Sequence, residues 1–293
     1  MQSQKSFDEN MQTGILYLVP TPIGNLEDMT FRAIRIMKEV DVIAAEDTRN
    51  TKKLCHYFEI DTPLISYHEH NRQASGEQIV RRLESGENVA LVSDAGMPCI
   101  SDPGYELVAE VIALDVTVVP LPGANAALTA LIASGIKPQP FYFYGFLPRG
   151  KKEKRAELEE LKRQIGAIIL YEAPHRLKDS LKWMIEILGN RQIVLCRELT
   201  KKFEEFLRGS LQDAVEWTES NEIRGEFCLI VEGAKEDIDE NEQADAWWTA
   251  LDVKAHVKHY MNEKGLSSKE AIKQVAMDRN VGRREIYQAY HVD

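Results

Sequence analysis

Ile15-Leu-Tyr-Leu-Val-Pro-Thr-Pro-Ile-Gly-Asn25 sets an apolar run directly before a loop punctuated by two prolines and a glycine. A short apolar run bounded by turn residues reads as a buried strand, here 15–19. In an open α/β sheet, the loop leaving such a strand is where ligands sit. This loop has neither the lysine of GxxxxGK[ST] nor the spacing of GxGxxG, so a ligand held there would lack a phosphate chain. An ordinary strand-to-helix turn is the plain alternative.

Working outward, the same grammar repeats. Runs at 42–45, 64–66, 89–93 and 116–119 read as further strands. A helix capped by Thr30, with Phe31, Ile34, Ile36 and Met37 as its buried stripe, and helices near 52–58, 73–84 and 105–112 alternate with them. Alternation of this kind predicts βα units and a mostly parallel sheet over residues 14–121. Residues 120–140 read as a hinge into a second α/β unit, 122–234, with strands at 141–144, 167–171, 192–197, 203–207 and 227–231. Few helices are expected between the later strands, which suggests partly antiparallel pairing. Residues 235–245 form an acidic, nearly apolar-free linker, and 1–13 read as a disordered leader. The tail, 246–293, has a helical pattern and more Lys and Arg than Asp and Glu. In it Ser267-Ser-Lys-Glu270 matches a capping box, and a turn at 280–282 precedes Arg283 and Arg284, a helix-turn-helix spacing also common in protein–protein modules.

The whole chain of 293 residues carries a net charge of -11, which argues against indiscriminate coating of nucleic acid and leaves room for local basic patches. Its 4 cysteines are scattered without a CxxC pair, against a disulfide framework or zinc site and in keeping with a reducing cytoplasm. The most apolar stretch, 116–136, is interrupted by Pro120, Pro122, Gly123 and Asn125, where a membrane span needs about 20 continuous apolar residues.

Further chemistry clusters after the other strands. Ala45-Glu-Asp-Thr-Arg-Asn-Thr51 crowds two carboxylates, a hydroxyl and an arginine at a strand end. Asp47 or Thr48 could simply cap the next helix, but a cap needs neither Glu46 nor Arg49. Tyr67-His-Glu-His-Asn71 could suggest a metal, yet the spacing is not HExxH, and a substrate-facing loop is the better reading. Val92-Ser-Asp-Ala-Gly-Met-Pro-Cys-Ile-Ser-Asp-Pro-Gly104 imposes two tight turns after a buried strand, as in a loop bending around a ligand or in an elaborate connection. Leu121-Pro-Gly-Ala-Asn-Ala-Ala127 opens a helix with small residues, and Tyr171-Glu-Ala-Pro-His-Arg176 follows a strand of the second half. Loops of this kind converge on one cleft between two domains.

Taken in order, YLVPTPIGNL, AAEDTRNT, SYHEHN, VSDAGMPCISDPG, LPGANAA, FYGFLPRG and YEAPHR resemble the tetrapyrrole methylase superfamily, and more narrowly its branch acting on small-subunit ribosomal RNA. The resemblance spans residues 15–233. It implies two α/β domains of tetrapyrrole-methylase type with the cofactor cleft between them, plus a small helical C-terminal domain. It further implies a homodimer, S-adenosylmethionine as cofactor, and methylation of a cytidine ribose 2′-hydroxyl in the decoding region of 16S rRNA. Cofactor contacts would fall on Ile23, Ser93, Asp94, Met97, Asn125, Ala126 and Tyr171. Two departures, Pro22-Ile23-Gly24 for a Gly-Pro-Gly loop and Ser93-Asp94-Ala95 for Gly-Asp-Pro, weigh against a tetrapyrrole substrate more than against the cofactor.

A sulfonium donor carries its own activation, so the chemistry calls for alignment, exclusion of water and a proton acceptor, with no metal required. Glu46, Asp47 and His68 are the candidate acceptors, with Arg49 holding a phosphate or carboxylate. RNA contacts are expected from Arg149, Lys151, Lys152, Lys154 and Arg155, the densest basic segment, and from Arg283 and Arg284. A solvated helix start is the alternative for the first group. Two rival functions remain at this level: a small-molecule C-methyltransferase of tetrapyrrole synthesis, and a non-catalytic RNA-binding assembly factor.

Overall fold

Residues 15–233 build two five-stranded sheets in a computed structural model, which describes residues 3–6, 12–234, 248, 250–279 and 281–291. The first sheet contains β1 (Ile15–Leu18), β2 (Val42–Ala45), β3 (Leu64–Ser66), β4 (Val89–Val92) and β5 (Thr117–Pro120) in the order β3-β2-β4-β1-β5. Every pairing is parallel. The crossovers are α1 (Phe31–Glu39), α2 (Thr48–Tyr57), α3 (Arg72–Glu84) and α4 (Tyr105–Ala113).

Strands β2 and β4 are buried at every residue, because helices cover both faces of the sheet. Alternation along β2 shows it: Ile43 and Ala45 join Ile36 and Met37 of α1 in one cluster, while Val42 and Ala44 join Leu107 and Val111 of α4 in the other. The neighbours β1 and β4 therefore send their chains to opposite faces. A crevice opens where two adjacent strands do this, and the loops after β1 and β4 flank it.

The second sheet contains β6 (Phe141–Phe146), β7 (Ala167–Glu172), β8 (Gln192–Arg197), β9 (Glu205–Ser210) and β10 (Phe227–Val231) in the order β6-β7-β10-β8-β9. Only β6 and β7 pair in parallel; the other three pairings are antiparallel. One face packs on α5 (Ala126–Ser134) through Ala127, Ala130 and Leu131. The other packs on α6 (Lys151–Leu161), α7 (Pro174–Leu188) and α8 (Leu211–Ser220) through Leu158, Leu181, Met184 and Leu211.

Several expectations need correction. Phe31 does not join the stripe of α1; it is 94% exposed, since the buried positions are Ala33, Ile36 and Met37. The fourth strand of the second sheet begins at Glu205, leaving Phe203 exposed in the preceding turn. Helices are also more numerous in this half than expected. Within the supposed leader, the Gln4 side-chain amide donates to the Val118 carbonyl and accepts from the Val118 N–H, both at 2.9 Å.

Residues 234–293 form a separate unit. Its helices Val253–Glu263, Ser268–Asp278 and Arg283–His291 gather around Val257, Ala271, Ile272, Val275 and Ile286. Ser267 caps the second with both halves of a capping box present: its hydroxyl accepts from the Glu270 N–H, and the Glu270 carboxylate accepts from the Ser267 N–H. The acidic stretch 235–245 lies outside the described residues. Among the described residues, no helix is long and apolar enough to cross a membrane.

Candidate functional site

The loops after β1 and β4 lock together before they form a site. Thr21 and Gly96 make an isolated antiparallel bridge through backbone bonds of 2.9 and 3.0 Å, and the Thr21 hydroxyl donates to the Ser93 carbonyl at 3.1 Å. Gly96 holds φ +82°, and a Cβ there would press on Ile23. Farther along, Gly104 at φ +139° has no room for a Cβ, which would meet the Cys99 sulfur at 2.6 Å. Cys99 and Ser101 themselves stand at φ 68° and 63°. Non-glycine residues in the left-handed region each cost about 1–3 kcal/mol, and such strain concentrates at ligand-binding loops.

These loops wall a cavity of about 540 Å³ at the carboxyl ends of the parallel strands, closed on its far side by the ends of β7, β8 and β10. Ile23, Asp94, Met97, Asn125, Ala126 and Tyr171 all line it. Asn125 also caps α5, its side-chain oxygen accepting from the Leu128 N–H at 3.0 Å. Burial pushes the Tyr171 phenol up to about 12, and Phe143 and Phe146 pack edge-on against its ring. Ser93 does not line this cavity. It is buried beneath the loop, its hydroxyl donating to the Gly96 carbonyl at 3.1 Å, and so supports the shape of the wall.

The four expected reacting groups separate. Glu46 lines the cavity, and its carboxyl is raised above the usual range by burial and then by the charge of Asp94. Asp47 is the N-cap of α2: it accepts from the Arg49 N–H at 2.8 Å and from the guanidinium at 3.0 and 2.7 Å. Those bonds hold its carboxyl down to about 2. Arg49 is exposed and is engaged with Asp47 rather than turned into the cavity. His68 does not line the cavity; its Nδ1 is buried without a hydrogen-bond partner, and its backbone N–H donates to the Asn71 side chain at 2.8 Å.

A further carboxylate completes the set. Asp102 lines the same cavity, and burial first, then Glu46 and Asp94, push its carboxyl up to about 7. In the sequence Asp102 stands before Pro103 and Gly104 and reads as turn punctuation. The adjacency of β2 and β4 sets it beside Glu46, and the turns of its own loop bring it back toward Asp94. Asp94 also fastens the start of α2, accepting from the Asp47 N–H at 3.1 Å and from the Asn50 side-chain amide at 3.2 Å. Lys201, another cavity residue outside the expected set, is occupied by Glu198 at 3.0 Å and Glu226 at 2.8 Å.

Of the basic segment, Arg149, Lys151, Lys152 and Arg155 are exposed. Lys154 departs from the expectation of an RNA contact. It is 3% exposed, and its ammonium donates to Asp179 at 2.9 Å and to the Ser180 hydroxyl at 3.4 Å. A helix start has an inward face, and Lys154 lies on it one turn before Leu158. In the tail unit Arg283 and Arg284 are exposed.

The family model described as Tetrapyrrole (Corrin/Porphyrin) Methylases matches residues 15–215. The chain is 62% identical over 293 residues to a Bacillus subtilis (strain 168) protein named ribosomal RNA small subunit methyltransferase I, covering 100% of this chain and 99% of that one. A Synechocystis protein of the same name is 45% identical, with 94% and 96% covered. Among solved structures, a cobalt precorrin-4 methyltransferase superposes with TM-score 0.58 at 17% identity, over 74% of this chain and 94% of its own. A uroporphyrin-III C-methyltransferase from Thermus thermophilus, complexed with S-adenyl homocysteine, does so with TM-score 0.54 at 18% identity, over 75% and 97%. The two sheets, the crevice between β1 and β4 and the full-length likeness agree: the chain belongs to the tetrapyrrole methylase family and, within it, to the ribosomal RNA small subunit methyltransferases I.

Proposed function

We propose that the chain transfers a methyl group from S-adenosylmethionine to a cytidine ribose 2′-hydroxyl in the decoding region of 16S rRNA, on the assembled small subunit. The observation that carries the rRNA reading is the 62% identity to a protein of that name across the full chain. The cavity supports the donor. Of the five carboxylates lining it, Glu172 is paired with Arg176 and Glu226 with Lys201, which leaves Glu46, Asp94 and Asp102 without a paired cation among the described residues; this set suits a ligand bearing a sulfonium and an ammonium. Ile23, Met97, Ala126 and Tyr171 offer the apolar and aromatic surface an adenosyl group needs. When bound, the cofactor supplies an electrophilic methyl with a neutral thioether as leaving group.

The protein's own part is orientation and proton removal. Holding an acceptor oxygen in line with the methyl carbon removes a large entropic share of the barrier. A ribose hydroxyl must also lose its proton as the carbon–oxygen bond forms. Asp102, poised at about 7, and Glu46 are the carboxylates in the cavity suited to accept it. Asp47 is too strongly acidic for that task. Placement in the cytoplasm and action as a homodimer complete the reading, the latter supported by exposed Phe31, Ile132 and Phe203. Incubation with labelled cofactor and unmethylated small subunits, followed by nuclease digestion and mass spectrometry, tests it. A 2′-O-methylcytidine is expected, with faster transfer to subunits than to protein-free RNA. A methyl on a base, or transfer to a porphyrin precursor in place of RNA, overturns it.

A further inference from the structure

Helix α2 differs from its neighbours in charge. Arg49, Lys52, Lys53 and His56 fall among its ten residues, and none of the ten is Asp or Glu. Of the other helices between residues 15 and 233, α5 carries no charge, and each of the rest carries Asp or Glu. Thr51 and Cys55 turn inward, which sends Lys52, Lys53, His56 and Tyr57 to the solvent. Arg49 is taken up by Asp47. No carboxylate pairs with Lys52 or Lys53 among the described residues, unlike Arg35 and Arg72 on the neighbouring helices, which pair with Glu39 and Glu106. On a chain of net charge -11, a helix with several cations and no carboxylate is a local exception.

The second observation is a hollow of about 320 Å³ beside this helix. Asn50, Lys53 and Tyr57 line one side of it, and Pro22 and Gly24 of the loop after β1 line the other. Asp94 lines both this hollow and the 540 Å³ cavity, so the two share a wall. An exposed aromatic ring, a side-chain amide and an ammonium together are what a single-stranded nucleotide uses: a stacking face, a hydrogen-bonding partner and a phosphate contact.

We propose that α2 and the hollow beside it hold the RNA strand next to the nucleotide being methylated, with Lys52 and Lys53 on its phosphates and Tyr57 against a base. This rests on the rRNA reading given above. The strand would then run from the mouth of the donor cavity along the helix, and Asp94, which bonds both Asn50 and the Asp47 N–H, would keep the two places in register.

The test uses the full chain, the double variant Lys52→Gln/Lys53→Gln and, separately, Tyr57→Ala. Small-subunit binding is measured at several salt concentrations, with calorimetric titration of S-adenosylmethionine and thermal melting as controls of folding. All three substitutions are at exposed positions, so cofactor affinity and melting should stay at wild-type values. The double variant is expected to bind subunits roughly tenfold more weakly near physiological salt, and its log–log salt slope to fall by about 0.7 for each single-strand phosphate that is no longer neutralised. Tyr57→Ala should weaken binding about five- to tenfold and leave the slope alone, since stacking releases no counterion. If the wild type binds subunits while the double variant matches it in affinity and slope, the track along α2 is wrong and the rRNA reading stands. A wild type that neither binds nor methylates subunits overturns both.

Discussion

Asp102 shows how much one side chain can gain from its neighbours. Its carboxyl titrates near 7 because burial disfavours the anion, and Glu46 and Asp94 add like charge. Methyl transfer by the wild type should therefore rise with pH and level off above about 7. Asp102→Asn should lose about 10²-fold or more of the rate and that pH dependence, as read by single-turnover transfer from bound cofactor. Unchanged rate in the variant would remove Asp102 from the reaction. Stability carries the opposite sign. In the unfolded chain this carboxyl ionises near 3.8; in the folded chain it keeps its proton until about 7. Its stabilising contribution is thus full below the unfolded value and is lost as pH rises through the folded one. Asp102→Asn should melt higher than wild type at pH 8, with the gap closing toward pH 4.

At the scale of elements, α6 shows a charged residue used for attachment. Lys154 is buried against α7, where Asp179 and Ser180 hold its ammonium and Ser180 in turn donates to the buried Glu172 at 2.5 Å. Lys154→Gln should cost about 1–3 kcal/mol in a denaturant titration, because the buried Ser180 hydroxyl and the exposed Asp179 carboxylate lose their cationic donor. The salt slope of subunit binding should not change; a fall in that slope would return Lys154 to the RNA surface. The strands of the first sheet are readable from sequence because each is a short apolar run followed by turn chemistry, as at Val19-Pro-Thr-Pro22. The helices of the second half are harder to read. In α6 only Leu158 and Leu161 mark an apolar stripe among charged residues, and the cationic start at Lys151 is the stronger signal. The site is readable as a row of loops at strand ends, and Ile23, Asp94 and Tyr171 lie on the cavity for that reason. Asp102 and Lys201 are not, because Asp102 meets Glu46 through strand order and Lys201 meets Glu226 from a stretch 25 residues away.

For the whole molecule, the two units suggest a division of labour in which residues 15–233 hold the donor and the tail helps to hold the substrate. A chain ending after Gly233 should bind S-adenosylmethionine as the full chain does, but bind small subunits more weakly and with a flatter salt dependence. Unchanged subunit affinity at every salt concentration would assign the tail another role. The 540 Å³ cavity between the two sheets is the proposed donor site. Calorimetric titration of S-adenosylmethionine into wild type and Asp94→Ala, in metal-free buffer, tests it most directly. Wild type should bind one equivalent per chain, and the variant should lose at least tenfold in affinity, more than the roughly 1 kcal/mol of an ordinary hydrogen bond, because Asp94 both lines the cavity and holds the start of α2. Wild-type affinity in Asp94→Ala, or no binding to the wild type without added metal, would contradict the claim.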